Sequence, residues 1–242
     1  GALETLAEDG SPADLVTEHT GAAGTKDVGA QTAHKGGGMG PAGPGQTFEF
    51  QVTPDASHTM LSFAAMVVES NDVFLALRGG GVALLDGNGD PRDSNDIQAD
   101  IQRRLAIWDA GTETNEVPGV GPNQPLRQSG ANTGPDDADD KIHLYRDATN
   151  DLMGDMAGGF LDVSITHGTG ALTFDVTVTN TSDSTAYPGL ATPLAWAAHD
   201  DTVQLFEAGA EASAELEQLA EDGQAMPLVG ALPATGVLNS GV

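Results

Sequence analysis

The chain has 242 residues, of which 36 are acidic and nine are lysine or arginine, so its formal net charge is −27. This charge excludes an electrostatic nucleic-acid interface, which needs clustered basic side chains. No run of 18 apolar residues occurs, so no transmembrane segment is predicted. Cysteine is absent, which excludes stabilisation by disulfides.

The acidic composition itself indicates where the protein works. A strongly negative surface is typical of a solvated, salt-adapted protein and predicts a halophilic, extracellular or cell-surface location. An alternative and compatible interpretation is that some carboxylates cluster to bind cations such as Ca²⁺. The sequence begins at Gly1 rather than Met, which indicates that an upstream segment, such as a signal peptide, pro-segment or domain, has been removed.

β-strand patterns dominate the chain and are separated by clusters of Gly, Pro, Asn and Asp. In the first strand Phe48, Phe50 and Val52 alternate with polar residues, which is the period of a half-buried strand. The predicted strands are, in chain order, 47–53, 58–69, 73–77, 103–109, 141–146, 160–167 and 172–180. These patterns predict an all-β fold, an antiparallel β-sandwich with one or two short helices and long loops.

The sequence between these strands predicts three loops and one helix. The loops are 21–45, which is rich in Gly and Ala, the acidic stretch 86–100, and the proline-rich stretch 112–140. The helix covers 214–222, because Ser213 is a suitable N-cap and Gly223 stands where a left-handed C-terminal cap is expected.

The sequence of that helix occurs twice in the chain. Residues 3–16 match residues 216–229 without a gap, and nine of the fourteen positions are identical. The chain therefore spans one full period of a repeat and begins again. A half-domain with open strand edges is unstable alone, so we expect it to be completed from within the chain or by a neighbour.

Three motifs lie along the predicted strands and the turns that follow them, namely Leu61-Ser-Phe-Ala-Ala-Met66, Ser70-Asn-Asp-Val-Phe74 and Trp108-Asp-Ala-Gly-Thr-Glu113. These motifs resemble the N-terminal domain of spondins. Further segments resemble the prokaryotic branch of that family, namely 115–124, Arg127-Gln128, Ala198-His-Asp200, Leu205-Phe206 and the Leu-Ala-Glu-Asp-Gly helix. The resemblance covers nearly the whole chain.

The order of the segments differs from that of the family, in which the part matching 173–223 precedes the part matching 6–165. The chain thus resembles a circular permutant. Residues 1–160 are expected to form the C-terminal portion of a spondin-like sandwich. Residues 161–242 are expected to form the N-terminal portion of the next repeat, and to complete a sandwich in cis or in a neighbouring subunit.

The resemblance also implies a role and a site. Family members are β-sandwiches of extracellular-matrix and adhesion proteins that hold a divalent cation at loop carboxylates. Asp72, Asp109 and Glu113 stand in the matching motifs, and hard oxygens at loop ends are what Ca²⁺ requires. The alternative is that these carboxylates only cap turns.

One acidic segment resembles the start of a known Ca²⁺-binding loop. Asp86-Gly-Asn-Gly-Asp90 begins like an EF-hand loop, but Pro91 and Ile97 replace the required Gly and Glu. A looser Ca²⁺ site that includes Asp93 or Asp96 is the remaining alternative there.

Two histidines are candidate metal ligands, and two motifs typical of enzymes are absent from the sequence. His143 and His199 are either satisfied polar residues or ligands of a transition metal. Neither His-Glu-x-x-His nor Gly-x-Ser-x-Gly occurs, so the sequence does not predict an enzyme.

Three hypotheses of function follow from the sequence. The first is a secreted structural protein whose copies assemble head to tail into a filament or matrix by strand or half-domain complementation. The second is a monomeric, Ca²⁺-dependent adhesion or binding module for a cell-surface or matrix component. The third is a surface protein that binds a transition metal.

Overall fold

The computed structural model describes residues 40–130, 133–145, 157–184, 188–233 and 237–241. Strands far outnumber helices there, so the predicted all-β class is confirmed. The strands are β1 (Thr47–Val52), β2 (Met60–Met66), β3 (Val73–Leu77), β4 (Val82–Ala83), β5 (Leu105–Asp109), β6 (His143–Leu144), β7 (Leu161–His167), β8 (Phe174–Asn180), β9 (Ala195–His199) and β10 (Val237–Gly241). The helices are α1 (Ser94–Arg104), α2 (Ala157–Phe160), α3 (Ala214–Asp222) and α4 (Ala225–Ala231).

The strands form two antiparallel sheets. The smaller has the order β1-β8-β7, and the larger has the order β10-β9-β2-β3-β5-β6, with β4 paired to β2. Strands from the two predicted portions of the chain pair with each other: β8 lies beside β1, and β9 lies beside β2. The two portions therefore share both sheets within this one chain.

The main core lies between the two sheets. Phe48, Phe50 and Val52 of β1 point into it, which confirms the alternation in the sequence. Across from them, the indole of Trp196 stacks on the ring of Phe50 with 4.8 Å between ring centroids. Apolar side chains of β2, β3 and β5 complete the same core.

The opposite face of the larger sheet is also covered. Helix α3 places Leu216 and Leu219, and helix α4 places Leu228, in a second apolar cluster with Phe74 and Trp108 of the sheet. Strands β3, β5 and β9 are buried along their whole length, so their sequences do not alternate, although β5 and β9 end in the buried polar residues Asp109 and His199. Strand β9 was not predicted because it neither alternates nor contains β-branched residues.

Several element boundaries differ from the prediction. Helix α1 lies where a loop was predicted at 86–100, because Ile97 and Ile101, one helical turn apart, anchor an otherwise polar segment. The strand predicted at 103–109 begins only at Leu105, where α1 ends. The strand predicted at 141–146 is reduced to the two residues of β6.

The predicted helix at 214–222 is confirmed together with both caps. The Ser213 hydroxyl accepts a hydrogen bond from the Leu216 N–H at 3.2 Å, and Gly223 adopts a left-handed φ of 71°. Its sequence copy at 3–16 and most of the predicted loop 21–45 lie outside the described residues. Within the described ranges, no helix is both long and apolar enough to cross a membrane.

Candidate cation site

Four buried carboxylates meet at one end of the larger sheet. Asp72 immediately precedes β3 and Asp109 ends the neighbouring strand β5, and antiparallel pairing of Val73 with Asp109 places both at the same edge. The loop after β5 brings Glu113, and the last turn of α3 brings Glu221. Each of the four is at most 2% exposed. We call these four residues the buried acid cluster.

The carboxylate of Asp72 is only half satisfied. Its Oδ2 accepts hydrogen bonds from the Thr112 N–H at 2.8 Å, the Thr112 hydroxyl at 3.1 Å and the Glu113 N–H at 3.1 Å. Its Oδ1 is buried and has no hydrogen-bond partner among the described residues. Burial, together with the nearby charge of Asp109, raises the pKa of Asp72 to about 7.

Asp109 organises the tight turn that follows β5. Its Oδ1 accepts from the Gly111 N–H at 2.8 Å, and its Oδ2 accepts from the Asn115 amide. Burial raises the pKa of Asp109, although the Asn115 hydrogen bond opposes that rise. Gly111 has a φ of 72°, and a side chain there would overlap the main chain of Lys141. Glycine is therefore required at this position.

Glu113 connects three loops of the site. Its Oε2 accepts from the Asn71 amide at 3.2 Å, and its Oε1 accepts from the Gly134 N–H at 2.7 Å. Both oxygens are thus satisfied. Glu113 holds the loop that follows β5 against the segment before β3 and against the region around Gly134.

Glu221 carries the second unpartnered oxygen of the cluster. Its Oε1 is buried and receives no hydrogen bond from the part of the chain that the structure describes. Burial raises the pKa of Glu221 to about 8, with further contributions from the charges of Glu113, Glu217 and Asp72. A hydrogen bond with the Thr112 side chain opposes that rise in the pKa of Glu221. A hydroxyl has only one proton to donate, so Thr112 cannot satisfy both Glu221 and Asp72.

Lysine and arginine do not neutralise the cluster within the described part of the chain. Among the described residues, no lysine or arginine forms an ion pair with any of its four carboxylates. Burying a carboxylate without a partner costs free energy, and the cost grows when several lie together. Such a cluster either holds protons, as the raised pKa values of Asp72 and Glu221 indicate, or binds a cation.

The oxygen donors suit a hard cation better than a transition metal. Ca²⁺ takes carboxylate, amide and main-chain oxygens, and all the polar groups of the cluster are of these kinds. In the described part of the chain, no group of three or more His, Asp or Glu side chains is already arranged to hold a metal ion. A bound ion would therefore use the two unpartnered carboxylate oxygens and draw its remaining ligands from other oxygens.

The structure brings together three of the five acidic residues predicted from the sequence, namely Asp72, Asp109 and Glu113. Asp93 instead caps α1, where its Oδ1 accepts from the Asn95 N–H at 2.9 Å and this hydrogen bond lowers the pKa of Asp93. Asp96 is exposed in the first turn of the same helix. Their role in a looser site remains a prediction.

The segment that begins like an EF-hand is a hydrogen-bonded turn. Asp86 Oδ1 accepts from the N–H groups of Asn88 at 2.8 Å and Asp90 at 2.9 Å. Its carboxylate is used within its own loop.

Sequence reasoning missed Glu221. The available signal was that this glutamate recurs as Glu8 in the second copy of the helix sequence, at a position next to apolar residues.

The two histidines weighed as transition-metal ligands lie on different strands. His143 is on β6 and His199 is on β9, and three strands of the sheet separate them. His143 Nδ1 is bonded to the Leu144 carbonyl at 3.1 Å, and both ring nitrogens of His199 are engaged in hydrogen bonds. The fold therefore does not bring them to one metal site.

No protein-family model matches the chain, and no curated protein or solved structure matches it.

Proposed function

We propose that the chain is an extracellular module of the spondin type that binds Ca²⁺ at the buried acid cluster and adheres to a cell-surface or matrix component. The observation that carries this proposal is the pair of buried carboxylate oxygens that have no hydrogen-bond partner among the described residues, Asp72 Oδ1 and Glu221 Oε1. An acidic cluster alone is common on such a charged chain. Two buried oxygens without a partner inside one cluster support cation binding there.

The ion links elements that are far apart in sequence. Asp72 belongs to the start of β3 and Glu221 to the end of α3, while Asp109 and Glu113 add negative charge beside them. A divalent cation offsets this repulsion and fixes the helix to the edge of the sheet. Ca²⁺ therefore stabilises the fold in this proposal by binding the native state only.

The loop 115–128 is the surface that the ion supports. The amide of Asn115 bonds to Asp109, and the Glu116 N–H donates to Asn71 Oδ1 at 3.0 Å, so the loop is attached directly to the acid cluster. This loop carries the large exposed apolar side chains of the described residues, Val117, Val120 and Leu126, which are 49%, 69% and 75% exposed. Exposed apolar side chains on a held loop suit contact with a partner.

Thermal unfolding with Ca²⁺ or with a chelator, at constant ionic strength, tests the proposal. We expect Ca²⁺ to raise the Tm of the wild type, and Asp72→Asn and Glu221→Gln to abolish that rise. The exposed Asp201→Asn is the matched control and should behave as the wild type. An unchanged Tm in the wild type, or an equal loss with Asp201→Asn, contradicts the proposal.

Binding of the partner is tested separately on cells or matrix from the source environment. Removal of Ca²⁺ should abolish adhesion while circular dichroism shows the sheets intact. Substitution of Leu126 by Ser should weaken adhesion and leave the Ca²⁺-dependent Tm rise unchanged. Adhesion that is insensitive to a chelator contradicts the functional part of the proposal.

The sequence repeat favours head-to-tail assembly as a second candidate. Eight residues of 216–229 are buried, and six of them recur at the equivalent positions of 3–16. The recurring residues are Leu216, Leu219, Ala220, Glu221, Leu228 and Val229. Each chain thus has one site on which the segment 216–229 packs. It has two segments, 3–16 and 216–229, that carry the residues for packing there. In this candidate, the surplus segment of one chain docks on the next chain and forms an open filament.

Cysteine cross-linking distinguishes the two candidates, because the wild-type chain has no cysteine. Gln128 donates to Asp222 Oδ1 at 3.2 Å, and Asp9 is the equivalent of Asp222 in the second copy. With a short bismaleimide, Asp9→Cys plus Gln128→Cys should give a ladder of linked chains if assembly is head to tail. The control pair Asp222→Cys plus Gln128→Cys should cross-link within one chain. The absence of linked chains in the first variant contradicts assembly through this segment.

A further inference from the structure

A serine and a histidine are paired on the α3 side of the larger sheet, away from the acid cluster. The Ser62 hydroxyl lies 2.9 Å from His199 Nε2, and His199 Nδ1 lies 2.6 Å from the Asp200 carbonyl oxygen. A carbonyl only accepts hydrogen bonds, so Nδ1 carries the proton. His199 Nε2 therefore accepts the hydrogen bond from the Ser62 hydroxyl.

This arrangement orients the imidazole as a base. The main-chain carbonyl of Asp200 fixes the tautomer, as the third group of a nucleophile–base pair must do. Burial lowers the pKa of His199, so the ring is neutral at neutral pH and can take a proton. The charge of the Asp200 carboxylate favours the protonated ring, whereas the charge of His58 opposes it.

The sheet fixes the pair through strand register. Met60 lies opposite His199 and Ser62 lies opposite Ala197 on the adjacent strands β2 and β9, so Ser62 and His199 are diagonal neighbours on one face. Gly81 packs directly against the Ser62 hydroxyl with a φ of 98°, and a side chain there would overlap it.

A cavity of about 140 Å³ opens beside Ser62. Its walls include the aromatic residues Trp108 and Phe206, and the polar residue Gln204. Gly79 and Gly80 also line it, and they contribute main chain only because glycine has no side chain. A cavity near 150 Å³ accommodates a ligand about as large as benzene, so this one suits a short acyl chain.

We propose that Ser62 and His199 are a nucleophile and its base, and that this cavity accepts the acyl group of short-chain carboxylic esters. Ser62 Oγ attacks the ester carbonyl while its proton passes to His199 Nε2. The carbon–alkoxy bond then breaks, and the alcohol leaves with the proton from His199. Water, deprotonated by His199, cleaves the acyl-serine and releases the carboxylic acid with Ser62 restored. This activity is independent of the cation site.

A fluorophosphonate probe, which reacts covalently with activated serines, tests the proposal on the full chain. We expect one probe per chain, mapped to Ser62 by mass spectrometry. Ser62→Ala and His199→Gln should each lower labelling at least 10-fold, whereas the exposed Ser57→Ala should label as the wild type. A wild-type chain that stays unlabelled beside a labelled serine hydrolase overturns the proposal, as does a probe attached to another residue.

A second measurement does not depend on variants of the pair, which are buried and affect folding. The wild type should hydrolyse p-nitrophenyl butyrate faster than the octanoate. Phe206→Ala enlarges the cavity and leaves Ser62 and His199 in place, so it should shift this preference toward the octanoate. Equal rates on both esters before and after the substitution, or no hydrolysis at all, overturn the proposal.

Discussion

The core between the sheets and the buried acid cluster are both inaccessible to solvent, but their physical balance differs. In the core, alternating apolar residues such as Phe48 and Phe50 gain free energy on burial and need no further partner. In the acid cluster, Asp72 and Glu221 each bury a carboxylate oxygen that has no hydrogen bond from the described residues. The core is explained by folding alone, whereas the cluster needs bound protons or, as we propose, a bound cation to offset its charge.

The largest expected effect comes from the core. Phe63→Ala removes a fully buried ring between the sheets and should lower the free energy of unfolding by about 3–5 kcal/mol. Urea denaturation measures this change, and its size should be the same with Ca²⁺ and with a chelator. A loss that depends strongly on Ca²⁺ would mean that the core and the cluster are not separate units.

The second-largest effect on stability is expected at the turn that shapes the buried acid cluster. Gly111→Ala forces a side chain into the main chain of Lys141 and should cost about 3 kcal/mol and weaken Ca²⁺ binding. Gly89→Ala is the matched control, because its φ of 86° is also left-handed but no atom lies within 4 Å of a new side chain. The control should cost about 1 kcal/mol and leave Ca²⁺ binding unchanged. Equal costs for the two variants would contradict the close packing at Gly111.

The pH dependence of stability separates the cluster from the core without any substitution. The pKa of Asp72 is raised from 3.8 to about 7 on folding, so the native state binds more protons than the unfolded state between these pH values. In a chelator, stability should therefore fall by on the order of 2 kcal/mol as the pH rises from 5 to 7. The raised pKa of Glu221 extends this fall toward pH 8.

Ca²⁺ should remove most of that fall, because the ion competes with the protons for the same oxygens. Chemical denaturation at each pH, with Ca²⁺ and with a chelator, gives both curves. A stability that rises with pH in the chelator would contradict the assigned protonation of Asp72 and Glu221.

The smallest expected effect concerns the carboxylate that the fold uses only as a cap. Asp93→Ala removes the N-cap of α1 and should cost about 1 kcal/mol without changing Ca²⁺ affinity. Asp93→Asn keeps a capping oxygen and should cost less. A loss of Ca²⁺ binding in either variant would support the looser site predicted from the sequence at Asp93 and Asp96.

The sequence predicted the strands that alternate, such as β1 and β8, and the fully buried strand β3, which has a short run of large apolar residues. The alternation in β1 and β8 is visible because their other face is polar, and the caps at Ser213 and Gly223 mark a helix by local chemistry. Strand β9 was missed because both of its faces are covered, so its sequence Ala-Trp-Ala-Ala-His carries no period. Helix α1 was missed because only two isoleucines anchor it.

The site was predictable only in part. Asp72, Asp109 and Glu113 were predicted from motif resemblance, and the fold places Asp72 and Asp109 at neighbouring strand ends. Glu221 is more than 100 residues away from them in sequence, and only the packing of α3 onto the sheet brings it to the cluster. The Ser62–His199 pair likewise depends on strand register, which no short motif encodes.

Calorimetric titration of Ca²⁺ into the metal-free chain tests the central claim most directly. We predict saturable binding of one ion per chain at neutral pH, accompanied by proton release from the cluster, and its loss in both Asp72→Asn and Glu221→Gln. A wild-type chain that binds no Ca²⁺, or variants that bind it as the wild type does, would show that the unpartnered oxygens are not a cation site.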